Sequence, residues 1–151
     1  MTSATEVPPA IQDKISNIVD LFGFKEEITV YREAGITGTE TAVIAVTFIL
    51  TNFVGTILKE AAKDLWQKIK SLKDTAKKEK ESTLEINLKI PIKGSIRDVC
   101  LIASTEEWQE LSDLVEFIEA SIEKKNAVEN EQKTLPAAGF RYSSGGGWLH
   151  L

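Results

Sequence analysis

Histidine and cysteine, the residues that most often carry metal binding and nucleophilic catalysis, are nearly missing from this 151-residue chain. Its only cysteine is Cys100, and its only histidine is His150, the penultimate residue, which follows Gly145–Gly147. A zinc site needs a cluster of such ligands, and a catalytic dyad or triad needs a rigidly held histidine. We therefore expect no enzymatic activity, no metal and no cofactor.

The single cysteine also excludes a disulfide within the chain. Cys100 lies in the apolar run Val99–Ile102, where a thiol behaves as a small hydrophobic side chain. Absence of disulfides is typical of reducing compartments. The first nine residues contain neither the basic nor the apolar region of a secretory signal peptide. These features predict a cytoplasmic protein.

A basic surplus is missing as well. Eighteen lysines and arginines oppose 23 acids, a net charge of −5, whereas nucleic-acid binding usually requires a basic face. The charge is unevenly divided, because residues 59–80 hold eight lysines and four acids, and residues 106–133 hold nine acids and three lysines. We therefore expect no nucleic-acid partner. We also expect the basic and acidic surfaces to attract each other, either within one molecule or between copies.

Apolar spacing outlines the secondary structure. The pattern predicts a helix at Pro9–Phe22, ended by Gly23, and either one long helix or two consecutive ones over 41–78. A further helix is predicted to begin with the capping box of Ser104 and Glu107. Strands are predicted at 27–32, at Thr83–Ile92, at 96–103 and, as a further strand, at Gly139–Tyr142. Pro91 suits an edge strand, and the unbroken apolar run before Ser104 suits a central strand.

This order of elements predicts an α+β fold with a ferredoxin-like split β-α-β sheet, helices on one face and a short helix in front. The other face would be available to a partner. Three parts follow: a disordered N-terminus at 1–8, a single α+β domain at 9–125, and a flexible C-terminal tail at 126–151 that includes the further strand.

The segment Thr41–Leu58 has no charged residue and has two interpretations. Its 18 residues are near the lower limit for a membrane-spanning helix, and the lysines after it suit a cytoplasmic flank. Asn52 and four threonines weaken that interpretation. The alternative is a helix buried almost all round between the sheet and the leading helix.

The layout of the chain resembles the effector-associated constant component, an accessory domain of bacterial conflict systems. The resemblance covers about residues 27–124 and rests on Ile28–Arg32, the apolar segment Ala42–Leu58 with its continuation through Trp66, and the elements from Leu84 to Ile122. It implies an adaptor that links a sensor to a separate effector. The leading helix and the glycine-rich tail are departures from that layout.

Together these observations predict a non-enzymatic adaptor or scaffold that binds a protein partner or itself. The expected contact residues are Trp148 and Leu149 behind the glycine hinge, and Lys63 and Lys70 on the lysine-rich helix. Trp148 is typical of interface hot spots, although docking of the tail on its own domain is equally open. The alternative is a membrane-associated, pore-forming or anchoring component built on residues 41–58.

Overall fold

The computed structural model describes residues 7–34, 40–79, 82–94, 98–130, 139–143 and 146–150. The helices are α1 (Pro9–Phe22), α2 (Gly55–Glu60), α3 (Ala62–Lys77) and α4 (Leu111–Glu129), with a 3-10 turn at Thr105–Glu107. The strands are β1 (Lys25–Ala34), β2 (Glu40–Ile49), β3 (Ser82–Lys93), β4 (Asp98–Ser104), β5 (Gly139–Ser143) and β6 (Gly147–His150).

The six strands form one mixed sheet in the order β1-β2-β3-β4-β5-β6. The pairs β2–β3 and β4–β5 are parallel, and the other pairs are antiparallel. Helix α3 packs on β3, α4 packs on β3 and β4, and α1 packs on α3. The predicted α+β class and N-terminal helix are therefore confirmed. The ferredoxin-like arrangement is not confirmed, because the sheet has six strands and follows chain order.

The predicted helix over Thr41–Leu58 is wrong. Its first part is β2, and only Gly55–Glu60 is helical. Ile44, Val46 and Phe48 are fully buried in the core, while the alternate residues of β2 face the other side of the sheet. The β2 residues on that side, among them Val43, Ala45 and Thr47, are also uncharged, although charged neighbours such as Glu85 of β3 lie beside them. The membrane-spanning helix predicted over 41–58 is wrong as well, since residues 41–49 belong to strand β2. No helix in the described ranges is long and apolar enough to cross a membrane.

Strand β3 was predicted at a sheet edge, yet it lies between β2 and β4. The backbone explains how its proline is accommodated. The Leu50 N–H donates to the Lys89 carbonyl at 2.8 Å, so Lys89 and Pro91 direct their backbone groups toward β2. The β2–β3 ladder ends at the Ile49–Lys89 pair. The missing N–H of Pro91 would point past the end of β2, so the β2–β3 ladder loses no hydrogen bond.

Strand β4 is central, as predicted, but it is not buried on both faces. Val99, Leu101 and Ala103 are buried, and the residues between them are half-buried.

The helix predicted to begin at Ser104 starts later in the structure. Ser104 Oγ accepts a hydrogen bond from the Glu106 N–H at 3.3 Å and opens the 3-10 turn. Helix α4 begins at Leu111, after a capping box of Glu110 and Asp113. The intervening turn places Trp108 in the core.

The C-terminal region from 126 onward contains regular structure. Helix α4 continues to Glu129, and the further strand predicted at Gly139–Tyr142 is β5. Residues Gly147–His150 return as β6 against β5. At the connection from β5 to β6, the Gly146 N–H donates to the Ser143 carbonyl at 3.0 Å, and Gly147 has a φ of 73°. Most of the predicted N-terminal segment 1–8 and part of the predicted loops lie outside the described residues.

Candidate functional site: an apolar groove beside the end of β2

Most of the large apolar side chains that remain exposed lie around one groove. In the part of the chain that the structure describes, the exposed ones are Leu21, Tyr31, Val54, Ile57 and Leu149. Three of them, Leu21, Val54 and Ile57, line a single groove of about 630 Å³. Clustered exposed apolar residues mark interaction sites more often than scattered ones do. This groove is therefore the candidate functional site.

One wall of the groove is the end of α1. Gly23 adopts the left-handed conformation, with a φ of 67°, and the Phe24 N–H donates to the Val19 carbonyl at 3.1 Å. This is the helix ending that glycine favours. The sharp reversal brings the rings of Phe22 and Phe24 together, with centroids 5.4 Å apart, and leaves Leu21 60% exposed at the rim.

The opposite wall is the segment between β2 and α3. Leu50, Phe53 and Leu58 are buried and form the inner part of this wall, while Val54 and Ile57 remain outside. Helix α4 supports the segment from behind, because the Lys125 Nζ donates to the Phe53 carbonyl at 3.4 Å.

Gly55 lets α2 approach α4 closely. A Cβ at this position would overlap the side chain of Ile122, so any larger residue would require the Ile122 side chain or one of the two helices to shift. Lys59 Nζ lies 2.9 Å from Glu119 Oε1 across the same contact. This ion pair links the lysine-rich and acid-rich segments within one molecule. It is about half exposed and contributes little to stability.

The chemistry of the groove is that of a binding surface. Its interior is apolar, and its rim includes Thr51, Asn52, Asp64, Gln67 and Lys68. One acid and one base are available at the rim to orient a ligand, while apolar contact supplies affinity. Among the residues described, no group of three or more histidines, cysteines, aspartates and glutamates is placed to hold a metal ion.

The structure places the predicted contact residues away from this groove. Trp148 is half-buried and its ring lies among aromatic neighbours, with centroids 5.0 Å from Tyr142, 6.2 Å from Phe117 and 6.4 Å from Phe140. Leu149 points to the opposite face of β6 and is 57% exposed. The C-terminal segment thus docks on its own domain through Trp148.

Lys63 and Lys70 are exposed on α3. Neither lines the apolar groove, to which α3 contributes instead Asp64, Gln67 and Lys68. Lys70 borders a shallow polar depression shared with Lys14 and Asp74, among others. The four predicted contact residues therefore do not form one surface.

Sequence reasoning missed the groove because its exposed members were assigned elsewhere. Val54 and Ile57 fell in the segment predicted to be a buried helix. Leu21 offered the one usable signal, since it is a large apolar residue outside the stripe of Ile11, Ile15 and Ile18 that α1 buries. An apolar residue off the buried stripe, in the last turn before a helix-ending glycine, indicates a surface contact.

Tyr142 shows how the C-terminal strands are anchored. Its hydroxyl donates to Glu116 Oε1 at 2.6 Å. Burial, together with this hydrogen bond and the Glu116 charge, raises the pKa of Tyr142 to about 12. An unfolded tyrosine has a pKa of about 10. The folded state therefore holds this proton more tightly, and the stability it contributes is present below pH 10.

We expect the stability of the wild-type chain to fall between pH 10 and 12, where the unfolded tyrosine ionises and the folded one does not. Tyr142→Phe removes the ionisable group and should lower stability at pH 7 by about 1.5–3 kcal/mol, the usual contribution of a hydrogen bond to a charged group. The difference between the two proteins should shrink as the pH rises from 9.5 to 11.5. Urea unfolding at both pH values measures it, and a constant difference would contradict the assignment.

No protein-family model matches this chain, and no curated protein and no solved structure matches it.

Proposed function

We propose that this chain is a non-enzymatic adaptor domain that binds an amphipathic helical segment of a protein partner in the apolar groove. The observation that carries the proposal is the convergence of Leu21, Val54 and Ile57 on one groove, each about half exposed or more. An amphipathic helix places apolar side chains in such a groove at helical spacing. Asp64 and Lys68 at the rim would pair with charges flanking the apolar stripe.

The resemblance to the effector-associated constant component points to the same adaptor role. It is a likeness of layout alone, and one of its parts, the apolar segment Ala42–Leu58, is here a strand followed by a short helix. The scarcity of histidine and cysteine supports a binding role over a catalytic one. An apolar groove without a cluster of titratable groups can bind an apolar ligand but offers no acid or base arrangement for a reaction.

A displayed library of helical peptides, selected against the whole chain, tests the groove. The test variant is Ile57→Glu, which places a carboxylate at the rim, and the matched control is Leu149→Glu. Both parent residues are similarly exposed, at 64% and 57%, so neither change should unfold the protein. Selected peptides should carry apolar residues at i, i+3, i+4 and i+7.

We expect Ile57→Glu to weaken these peptides by about tenfold or more, since a carboxylate would be desolvated against their apolar face. Leu149→Glu should leave their affinity unchanged, as measured by fluorescence anisotropy. Equal affinity for all three proteins, or selection of peptides without apolar spacing, would reject the groove as the binding site.

A further inference from the structure

Strand β1 presents a long open edge. It spans ten residues, Lys25–Ala34, at one side of the sheet. Within the described part of the chain, its only strand partner is β2. The other edge strand, β6, has only four residues. Long edges with unpaired backbone groups are templates for further strands, so β1 is the edge that could accept another strand.

The ladder bonds decide which backbone groups of β1 face outward. The Leu50 N–H donates to the Lys89 carbonyl. The backbone N–H and C=O groups of even-numbered residues of β2 therefore point toward β3, and those of odd-numbered residues point toward β1. Ala45 of β2 is registered with Thr29 of β1. Odd-numbered residues of β1 therefore bond to β2. The outward N–H and C=O groups belong to the even-numbered residues, which are Glu26, Ile28, Val30, Arg32 and Ala34.

We propose that two copies of this chain associate by antiparallel pairing of their β1 edges, with the twofold axis at Thr29. In this register Ile28 of one copy lies opposite Val30 of the other, and Glu26 lies opposite Arg32. These are pairs of even-numbered residues, so the outward donors and acceptors of the two edges meet. The result is a continuous twelve-stranded sheet across the dimer.

Charge selects this register over its neighbours. The twofold symmetry makes the Glu26–Arg32 opposition occur twice, and directly opposed unlike charges stabilise antiparallel strands. A slide of two residues in one direction places Glu26 opposite Val30, and a slide in the other direction places it opposite Ala34. Either slide loses both ion pairs. Charged residues on an edge usually prevent pairing, but here their signs are complementary about Thr29.

The surroundings of Glu26 also favour a cationic partner from outside. Among the residues described, no lysine or arginine is within ion-pair distance of Glu26, and no acid is within that distance of Arg32. Partial burial and the nearby Asp20 carboxylate raise the pKa of Glu26. Arg32 of a second copy would offset that repulsion. Ile28 and Val30, which are half-buried and pack against the core, would be covered further by the same contact.

Reciprocal charge reversal tests the proposal on the 151-residue chain. Sedimentation equilibrium from about 1 μM to 1 mM should show a monomer–dimer equilibrium. Glu26→Lys and Arg32→Glu each place like charges opposite one another twice, and each should raise the dimer dissociation constant by about tenfold or more. A 1:1 mixture of the two variants should form the dimer again, because the lysine introduced in one variant then faces the glutamate introduced in the other.

Cysteine cross-linking checks the axis. In a Cys100→Ser background, Thr29→Cys places two thiols across the twofold axis in a pair without backbone hydrogen bonds, about 4.5 Å apart at Cα, within disulfide reach. Glu27→Cys is the control, since its two copies would be roughly 13 Å apart. Oxidation should cross-link the first variant only. A wild-type chain that stays monomeric at 1 mM, a mixture that does not associate, or equal cross-linking of both cysteines would overturn the proposal.

Discussion

Val46→Lys is expected to prevent this chain from folding, whereas Ala45→Lys should leave it folded. Val46 is fully buried and lies between Ile28 of β1 and Ile86 of β3. An ammonium group there would lose its hydration without gaining a partner. The expected cost exceeds about 4 kcal/mol, a large part of the roughly 5–15 kcal/mol that holds a domain together.

Ala45 is the adjacent residue on the opposite face of β2. It lies between Thr29 and Glu85 and is partly exposed, so a lysine there reaches water and a carboxylate. Circular dichroism and urea unfolding of the two variants measure the contrast. In a helix buried all round, neighbouring residues would both reject a lysine. Equal loss of structure in the two variants would therefore contradict the strand assignment.

Trp148→Ala should have the second-largest effect, because it removes the ring that joins the C-terminal strands to α4. The Trp148 ring contacts those of Phe117, Phe140 and Tyr142. Removing a buried tryptophan costs about 3–5 kcal/mol. Since this side chain is half-buried, we expect a loss of about 2–4 kcal/mol in the free energy of unfolding.

The neighbouring residue provides the control. Leu149→Ala should change stability by less than about 0.5 kcal/mol, because Leu149 is largely exposed on the other face of the same strand. Urea midpoints compare the two. If Trp148→Ala were as stable as the wild type, the tryptophan would not be docked on its own domain, and capture by a partner would be the better explanation of its presence.

The two proposed surfaces are independent in their residues. The groove uses the end of α1 and the segment after β2, whereas the dimer uses the outer edge of β1. Ile57→Glu should therefore weaken peptide binding and leave the monomer–dimer equilibrium unchanged. Glu26→Lys should weaken the dimer and leave peptide binding unchanged. Twofold pairing would supply two grooves in one particle, which raises the apparent affinity for a partner that carries two binding segments.

Several elements could be predicted from the sequence because their signals are local. Helix α1 begins at Pro9 and ends before Gly23, as the proline and glycine positions indicate. Strand β3 alternates Ile86, Leu88 and Ile90 in the core with polar residues outside, so its period of two was readable. The buried stripe of α3 was readable for the same reason. The prediction of a chain without a metal site or catalytic dyad needed only the scarcity of histidine and cysteine.

Residues 41–58 and the site depended on tertiary neighbours. A strand that is covered on both edges and uncharged on both faces has the same hydropathy as a buried helix, and only the flanking β1 and β3 distinguish the two. The position of Pro91 inside the sheet depended on where β2 ends. The sequence by itself determined which residues are apolar and in what pattern they occur. The packing of α1 and α2 decided that Leu21, Val54 and Ile57 would remain exposed together, because exposure depends on what the rest of the chain leaves uncovered.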